Sequence, residues 1–147
     1  YPEKIRPRKT DMLLSTVDLM PTLLTMLGLT DQIPEGLRGQ DAGGAILENR
    51  DCAIPCALYH HTTISRGFKN DRYTFVIHHE EDEKDRPLEA VLFDDEADPY
   101  QMENLAEKRP ELVREFAEGL AGMLEECGDP FAGQVREFLE KGAVKGE

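Results

Sequence analysis

The order of apolar and polar residues along this chain follows several different patterns, and each pattern predicts a different kind of element. Residues 12–17 form a short apolar run of strand length, and a one-sided apolar pattern predicts a helix over 18–28. From residue 51 the pattern changes to short runs, rich in β-formers, that predict about four strands. From Pro110 to about Cys127, apolar residues recur at helical spacing, and a shorter helix follows. The order predicts an α+β fold: a small antiparallel sheet of about four strands with a long packed C-terminal helix, preceded by a βα unit.

Capping residues and glycine mark the ends of the N-terminal helices. Asp18 stands before the apolar helix, a position that favours an N-cap over the alternative of a metal carboxylate. Gly28 is placed to end this helix, and Asp41 to cap a short one that ends near Leu47. One face of the first helix is apolar and consists of Met20, Leu23, Leu24 and Leu27.

The strand region begins where the pattern changes, so the chain is predicted to divide into residues 1–50 and 51–147. The predicted strands are residues 52–59, 62–68, 72–78 and 90–94. Asn70 and Asp71 predict a tight turn between the second and third strands. Pro55 lacks a backbone N–H, so the first strand is expected to lie at an edge or to be interrupted.

Composition excludes several classes of function. The 147 residues carry a formal net charge of −13, which disfavours nucleic acid as a partner because phosphate is bound by basic patches. The sequence contains no apolar run of the length that spans a membrane. Three cysteines do not make a paired disulfide framework. The chain opens with Tyr1 rather than methionine and is expected to be a fragment or a processed product, which leaves its localisation, cytoplasmic or exported, open.

Three sequence blocks resemble the C-terminal third of sulfatases, in the alkaline phosphatase superfamily. Residues 14–24, LSTVDLMPTLL, resemble the segment that ends the catalytic α/β domain of these enzymes. Residues 65–76, SRGFKNDRYTFV, resemble the hairpin of their C-terminal subdomain. Residues 91–106, VLFDDEADPYQMENLA, resemble the signature near their C-terminus. The resemblance therefore implies that residues 1–50 end a catalytic α/β domain and that residues 51–147 are the C-terminal subdomain.

The same resemblance implies the chemistry of the parent protein. Sulfatases hydrolyse sulfate esters with a formylglycine, made from Cys or Ser in a C/S-x-P-S-R motif, and a divalent cation, usually calcium. Their catalytic and metal-binding residues precede the first matching block, so the resemblance implies no catalytic, cofactor-binding or metal residue in this chain and no activity of the fragment alone. Cys52-Ala53-Ile54-Pro55-Cys56 departs from the motif, because no Ser-Arg follows the proline, and its thiols are expected to be buried or half-buried.

Four residues are candidates for the rim of the substrate pocket: Arg66, Lys69, His60 and His61. Cations on a hairpin that faces the catalytic domain suit sulfate oxygens, although the family hairpin often has Arg where Lys69 stands. An internal ion pair of Arg66 with a carboxylate such as Asp94 or Asp98 is the structural alternative.

Histidines at the predicted strand ends carry a second, less favoured possibility. His60-His61 and His78-His79, with Glu80 and Glu81 nearby, could bind a transition metal; solvated strand-end histidines are the simpler expectation.

The predicted partners are the chain's own N-terminal catalytic domain and, in the intact enzyme, a sulfate ester. An independent acidic α+β protein-interaction module is an alternative, as is a fragment of a related phosphodiester or phosphonate hydrolase. The apolar strand over 12–17 has no parallel neighbour in the chain, so the fragment is also predicted to be able to dimerise through it.

Overall fold

The computed structural model describes residues 1–37, 39–52, 57–61, 64–79 and 87–142, and of residues 58–61 only the backbone. These residues form two compact units, Tyr1–Ala57 and Leu58–Glu147. The first contains helices α1 (Leu19–Met26) and α2 (Gly43–Leu47). The remaining elements are β1 (Ala57–His61), β2 (Ser65–Lys69), β3 (Tyr73–His78), β4 (Glu89–Asp94), α3 (Pro110–Glu126) and α4 (Phe131–Glu140). No helix within these ranges is long and apolar enough to cross a membrane.

Helix α1 begins and ends close to the predicted residues. Asp18 precedes it and is buried, and its carboxylate accepts hydrogen bonds from the N–H groups of Ser15 and Gln40, each at 2.7 Å. Asp18 stands at the predicted N-cap position, but its carboxylate makes no capping bond to the first turn of α1. It instead ties two loop segments to the helix start. Gly28 adopts a φ of 75° and ends the helix, with the Leu29 N–H donating back to the Leu24 carbonyl at 2.8 Å.

The strand predicted over residues 12–17 does not form. Residues 11–15 have no regular structure, and Thr16–Asp18 is a short 3-10 turn. Ser15 keeps an extended backbone, with φ of −95° and ψ of 162°. An extended segment becomes a strand only when a neighbour completes its hydrogen-bond ladder, and the described part of the first unit offers none. The βα unit is thus reduced to its helix.

The sheet of the second unit has the order β1-β2-β3-β4, which confirms the predicted sheet of about four strands. Strands β2, β3 and β4 pair antiparallel, with Gly67 opposite Val76 and Phe75 opposite Leu92. The predicted Asn70 turn is confirmed, because its Oδ1 accepts the N–H groups of residues 72 and 73 at 3.0 and 2.7 Å. The first predicted strand, 52–59, falls partly outside the described residues.

One face of the sheet is covered by α3, and α4 packs on α3. Phe116 of α3 lies at the centre of an aromatic cluster, with ring centroids 5.4 Å from Phe68 and Tyr73 and 5.8 Å from Phe75. The largest buried side chains of this unit are Phe75, Phe131, Ile77, Leu92, Leu120, Val113 and Val135. Both C-terminal helices begin and end near the predicted residues, so the predicted α+β class is confirmed.

The outer edge of β4 is closed by the segment that follows it. Asn104 accepts the Leu92 N–H through Oδ1 at 3.0 Å and lies with its Nδ2 3.3 Å from the Ala90 carbonyl. The Leu105 N–H donates to the Leu92 carbonyl at 2.8 Å. These bonds occupy backbone groups of an edge that could otherwise pair with another chain.

Candidate functional site

Strand β2 directs the two predicted cationic rim residues to opposite faces of the sheet. Side chains alternate along a strand, and Arg66 and Lys69 are three positions apart. Arg66 shares its face with Phe68, whose ring packs on α3. Lys69 instead lies beside Thr74 of the neighbouring strand. The structure therefore does not bring these two cations together into one anion-binding group.

Arg66 is held in a buried ion pair. Its Nε donates to Asp129 Oδ2 at 2.7 Å, and the two side chains are only 7% and 13% exposed. A second donor, Nη1, reaches the Ser65 carbonyl at 2.7 Å, and the guanidinium carbon lies 5.0 Å from the centroid of the Phe131 ring. This pair joins the sheet to the turn between α3 and α4.

The internal ion pair predicted as the structural alternative for Arg66 is confirmed, but with a different carboxylate from the two named. Neither Asp94 nor Asp98 bonds it; the acid is Asp129, which lies in the Gly128-Asp129-Pro130 break between α3 and α4. Asp129 also accepts the Phe131 N–H at 2.9 Å and so supports the start of α4. The helix break is the only local signal at Asp129, and nothing near it in the sequence indicates which strand it will face.

Lys69 belongs to a polar cluster of four residues, the Lys69 cluster: Lys69, Thr74, Asp95 and Gln101. The ammonium pairs with Asp95 Oδ2 and lies 3.4 Å from Thr74 Oγ1. Gln101 donates from Nε2 to Asp95 Oδ1 at 2.7 Å and to Thr74 Oγ1 at 3.1 Å. Lys69 is 31% exposed, so solvent or a ligand reaches it more easily than it reaches Arg66.

Two neighbouring carboxylates at the end of β4 are stabilised in their charged form. Burial alone would raise the pKa of Asp95, but hydrogen bonds from Lys69, Gln101 and Thr74 outweigh it and hold that pKa below its usual value. The hydrogen bonds from Arg72 are the largest cause of the lowered pKa of Asp94. The Nη2 atom of Arg72 lies 2.7 Å from Asp94 Oδ2. Both acids are therefore negatively charged in the folded protein, and they hold the cations Lys69 and Arg72 at this end of the β3–β4 pair.

These lowered pKa values predict acid sensitivity of the sheet. A carboxyl group whose folded pKa lies below its unfolded value of about 3.9 stabilises the fold above that pH, and the contribution is lost as pH falls through the folded pKa. We expect the thermal midpoint of the intact protein to drop as the pH is lowered below about 4. Asp95→Asn should cost about 2 kcal/mol near neutral pH and make the midpoint less dependent on pH. Parallel pH curves for the two proteins would contradict this role of Asp95.

The histidines fall into two groups. The side chains of His60 and His61 lie outside the described residues, so their place at a pocket rim stays a prediction. His78 Nδ1 lies 3.1 Å from the His79 carbonyl oxygen, and His79 Nε2 lies 2.7 Å from Gln134 Oε1 of α4. The His79 ring also packs edge-on against Phe131, at 6.2 Å between centroids. His78 and His79 thus bond within the fold, while Glu80 and Glu81 lie outside the described residues.

The described residues offer no site for the metal or the formylglycine of a sulfatase. No group of three or more His, Cys, Asp or Glu side chains among them could hold a metal ion. Cys52 is half-buried, with its Sγ 3.2 Å from Met12 Sδ, and Cys56 lies outside the described residues. The carboxylate of Asp18, for which a metal-ligand role was the alternative to an N-cap, is engaged with two backbone N–H groups.

A shallow depression of about 420 Å³ lies beside the β2–β3 turn, a feature that the sequence pattern did not indicate. The Arg72 guanidinium lies 5.1 Å from the Tyr73 ring centroid on one side of it. The residues that line it are Asn70, Asp71, Arg72, Tyr73, Leu112, Glu115 and Phe116. The lining combines aromatic side chains with both acidic and basic groups, so the depression is not suited to bind an anion in particular.

Comparison with known proteins shows which enzymes this chain is similar to. No family model matches the chain. An endo-4-O-sulfatase from Bacteroides thetaiotaomicron is 34% identical over 150 positions, covering 89% of this chain and 29% of the relative. This chain therefore spans about three tenths of the length of the curated relative that it matches.

Two solved structures give the same picture. A candidate sulfatase from Bacteroides fragilis superposes with a TM-score of 0.73 at 31% identity, over 92% of this chain and 30% of its own. A second structure, described under the metabolism of multiple glycosaminoglycans by Bacteroides thetaiotaomicron, has a TM-score of 0.75 at 31% identity. It covers 99% of this chain and 33% of its own length. The resemblance to part of a sulfatase, predicted from the three sequence blocks, is confirmed.

Proposed function

We infer that this chain is a C-terminal portion of a sulfatase and propose that the intact protein is a sulfuric ester hydrolase. The observation that carries the proposal is the match of nearly the whole chain, 89%, to less than a third of an endo-4-O-sulfatase. The chain by itself supports the catalytic portion rather than performing the reaction. Its principal partner is then the portion of the same protein that holds the catalytic centre.

The proposed substrate is a carbohydrate sulfate ester. The curated relative is named for a 4-O-sulfate, and one solved relative is described in connection with glycosaminoglycans. A sugar sulfated at O4 is therefore the first substrate to test, with the same sugar sulfated at another oxygen as the comparison. An aryl sulfate would report sulfatase chemistry without dependence on the sugar.

Formylglycine and a divalent cation, usually calcium, are proposed for the intact enzyme from the family resemblance alone. The described residues contain no fitting ligand group, so both are assigned to the remaining portion of the protein. When bound there, they would supply the nucleophile and the positive charge that stabilises the sulfuryl oxygens. No residue of this chain is given a role in that step.

Lys69 is the better candidate of the two predicted cations for the rim of the substrate pocket. Its side chain is 31% exposed, whereas Arg66 is 7% exposed and paired with Asp129. A sulfate that approached Lys69 would compete with Asp95 for the same ammonium. The histidines at 60 and 61 stay candidates on the sequence pattern alone.

We expect the intact protein to release sulfate from the O4-sulfated sugar or the aryl sulfate, and to leave a matched phosphodiester unchanged. Within the same assay, Lys69→Met should raise KM if Lys69 lines the pocket. Asp95→Asn is the control: it disturbs the Lys69 cluster but keeps the Lys69 ammonium, so it should not raise KM in the same way. Hydrolysis of the phosphodiester instead would move the protein to the related phosphodiester or phosphonate hydrolases. Absence of both activities would favour the protein-interaction module.

A further inference from the structure

Helix α1 has one face that is fully engaged within its own unit. Pro21 and Thr22 are buried on this face. The Thr22 hydroxyl accepts the Ala42 N–H at 3.1 Å, and the Thr25 hydroxyl donates to Asp41 Oδ2 at 2.6 Å. These contacts fix α1 against the start of α2 and determine which side of the helix is left outside.

The opposite side of α1 is apolar and exposed. At 100° per residue, four side chains fall within an arc of about 100° on this side. They are Leu19, Met20, Leu23 and Leu27, which we call the α1 apolar face. Their exposed fractions are 50%, 50%, 53% and 70%. Three of the four belong to the apolar face that the sequence predicted, so the residues expected to be buried are the ones left in solvent.

The first unit does not contain a core that could explain this helix. Its buried apolar side chains, among the described residues, are those of Pro21, Ala42 and Ala45. Four large apolar residues of this helix therefore point outward, whereas its buried positions are held by Pro21 and Thr22, and Leu24 and Met26 are half-buried. An ordinary amphipathic helix buries its largest apolar residues instead. A contiguous exposed patch of this kind is typical of an interface.

We propose that the α1 apolar face is a docking surface for the remainder of the same sulfatase, which covers it in the intact protein; this inference rests on the proposed function. The two solved relatives match 92% and 99% of this chain, yet about two thirds of their own length lies outside the match. That length is the one source of covering surface that the comparisons supply. Because the four side chains carry no charge, the surface that meets them is expected to be apolar.

A second copy of the chain is a weaker occupant. Each copy carries a formal charge of −13, so that two copies repel each other at low ionic strength. A stable dimer typically buries about 1,200 Å² or more in total, and four side chains on an eight-residue helix supply only part of that area. The dimer predicted through a strand over residues 12–17 also lacks its strand.

The proposal is tested in the intact protein with Leu27→Cys, labelled by a maleimide under native conditions and located by peptide mass spectrometry. We expect labelling at least about tenfold slower than in the same variant unfolded in urea, because a covered thiol reacts only after local opening. The matched control is Glu118→Cys on α3, a 55% exposed position that should label at nearly the same rate folded and unfolded. Peroxide oxidation of Met20 in the unmodified protein is the second measurement, and should be slowed by a similar factor.

Equal labelling of residue 27 in the folded and unfolded states, with Met20 oxidised equally fast, would overturn the docking surface. Protection that disappears when a dimer is diluted to monomers would overturn the proposed occupant in favour of a second copy. Sulfate release is measured on the same samples, so the two proposals fail separately. An active enzyme with an unprotected residue 27 refutes the docking surface alone; an inactive protein with residue 27 protected refutes the proposed activity.

Discussion

Arg66→Met in the intact protein should lower the free energy of opening of the C-terminal unit by about 3–5 kcal/mol. The replacement removes the guanidinium that pairs with the Asp129 carboxylate, and because this carboxylate is only 13% exposed, water compensates poorly for the loss. The hydrogen bond from the Phe131 N–H to Asp129 is retained, so the loss falls on the charged pair itself. Amide hydrogen exchange, read on the peptides of β2 and α4, measures the change where the pair acts.

Two further variants separate the ion pair from general effects of mutation. Arg114→Met removes an exposed pair with Glu118, at 70% and 55% exposure, and should change stability by no more than about 0.5 kcal/mol. Combining Arg66→Met with Asp129→Leu should recover part of the loss, because an apolar pair no longer leaves a buried charge. If the Arg66–Asp129 pair behaved like an exposed ion pair, Arg66→Met would reduce stability by no more than the Arg114→Met control, which would contradict the prediction.

The same variant also decides the rim role predicted for Arg66. If Arg66 acts only within the fold, KM for the sulfate ester should be unchanged at temperatures where the variant stays folded. A raised KM with unaltered stability would instead place the guanidinium against the substrate. The buried pair makes the first result the expected one.

Elements with strong local signals were predicted well. Pro110 at the first position of α3 and the helical spacing behind it define that helix without help from the rest of the chain. The turn at Asn70 has the same character, because its side chain bonds backbone groups only two and three residues away. Sequence reasoning succeeds where the stabilising contacts lie within a few residues.

Features that depend on distant residues were predicted poorly. Arg66 pairs with Asp129, which is 63 positions away, and no local pattern could select it over Asp94 or Asp98. The run at 12–17 has strand composition, but a strand also needs a neighbour, which the described part of its unit does not supply. The apolar run at 12–17 and the outward face of α1 both overlap the sequence block, residues 14–24, that resembles the end of a catalytic domain. Both departures are expected if that block normally packs against residues that this chain does not contain.

The close approach of β2 and β3 gives a second prediction of large effect, at Gly67. A Cβ atom added there would lie 2.2 Å from the Phe75 carbonyl oxygen and 2.9 Å from Val76 Cα. Both obstacles are backbone atoms of β3, so no side chain can rotate away to make room. Gly67→Ala must therefore push the two strands apart, which strains the ladder that joins them and the Phe68–Phe75 contact beside it. We expect a loss of about 3 kcal/mol or more.

Gly119→Ala is the matched control, because the same methyl group is added in a different environment. Gly119 lies within α3, and apart from the adjacent backbone of that helix no atom of the described residues lies within 4 Å of the place where its Cβ would stand. Alanine there should stabilise the helix by about 0.5–1 kcal/mol, so the two substitutions are expected to have opposite signs. Hydrogen exchange on the β2, β3 and α3 peptides of the intact protein measures both. If Gly67→Ala stabilised the protein as Gly119→Ala is expected to, the spacing between β2 and β3 would not require glycine at this position. Of the Arg66-Gly67 pair in the hairpin, the fold would then require only Arg66.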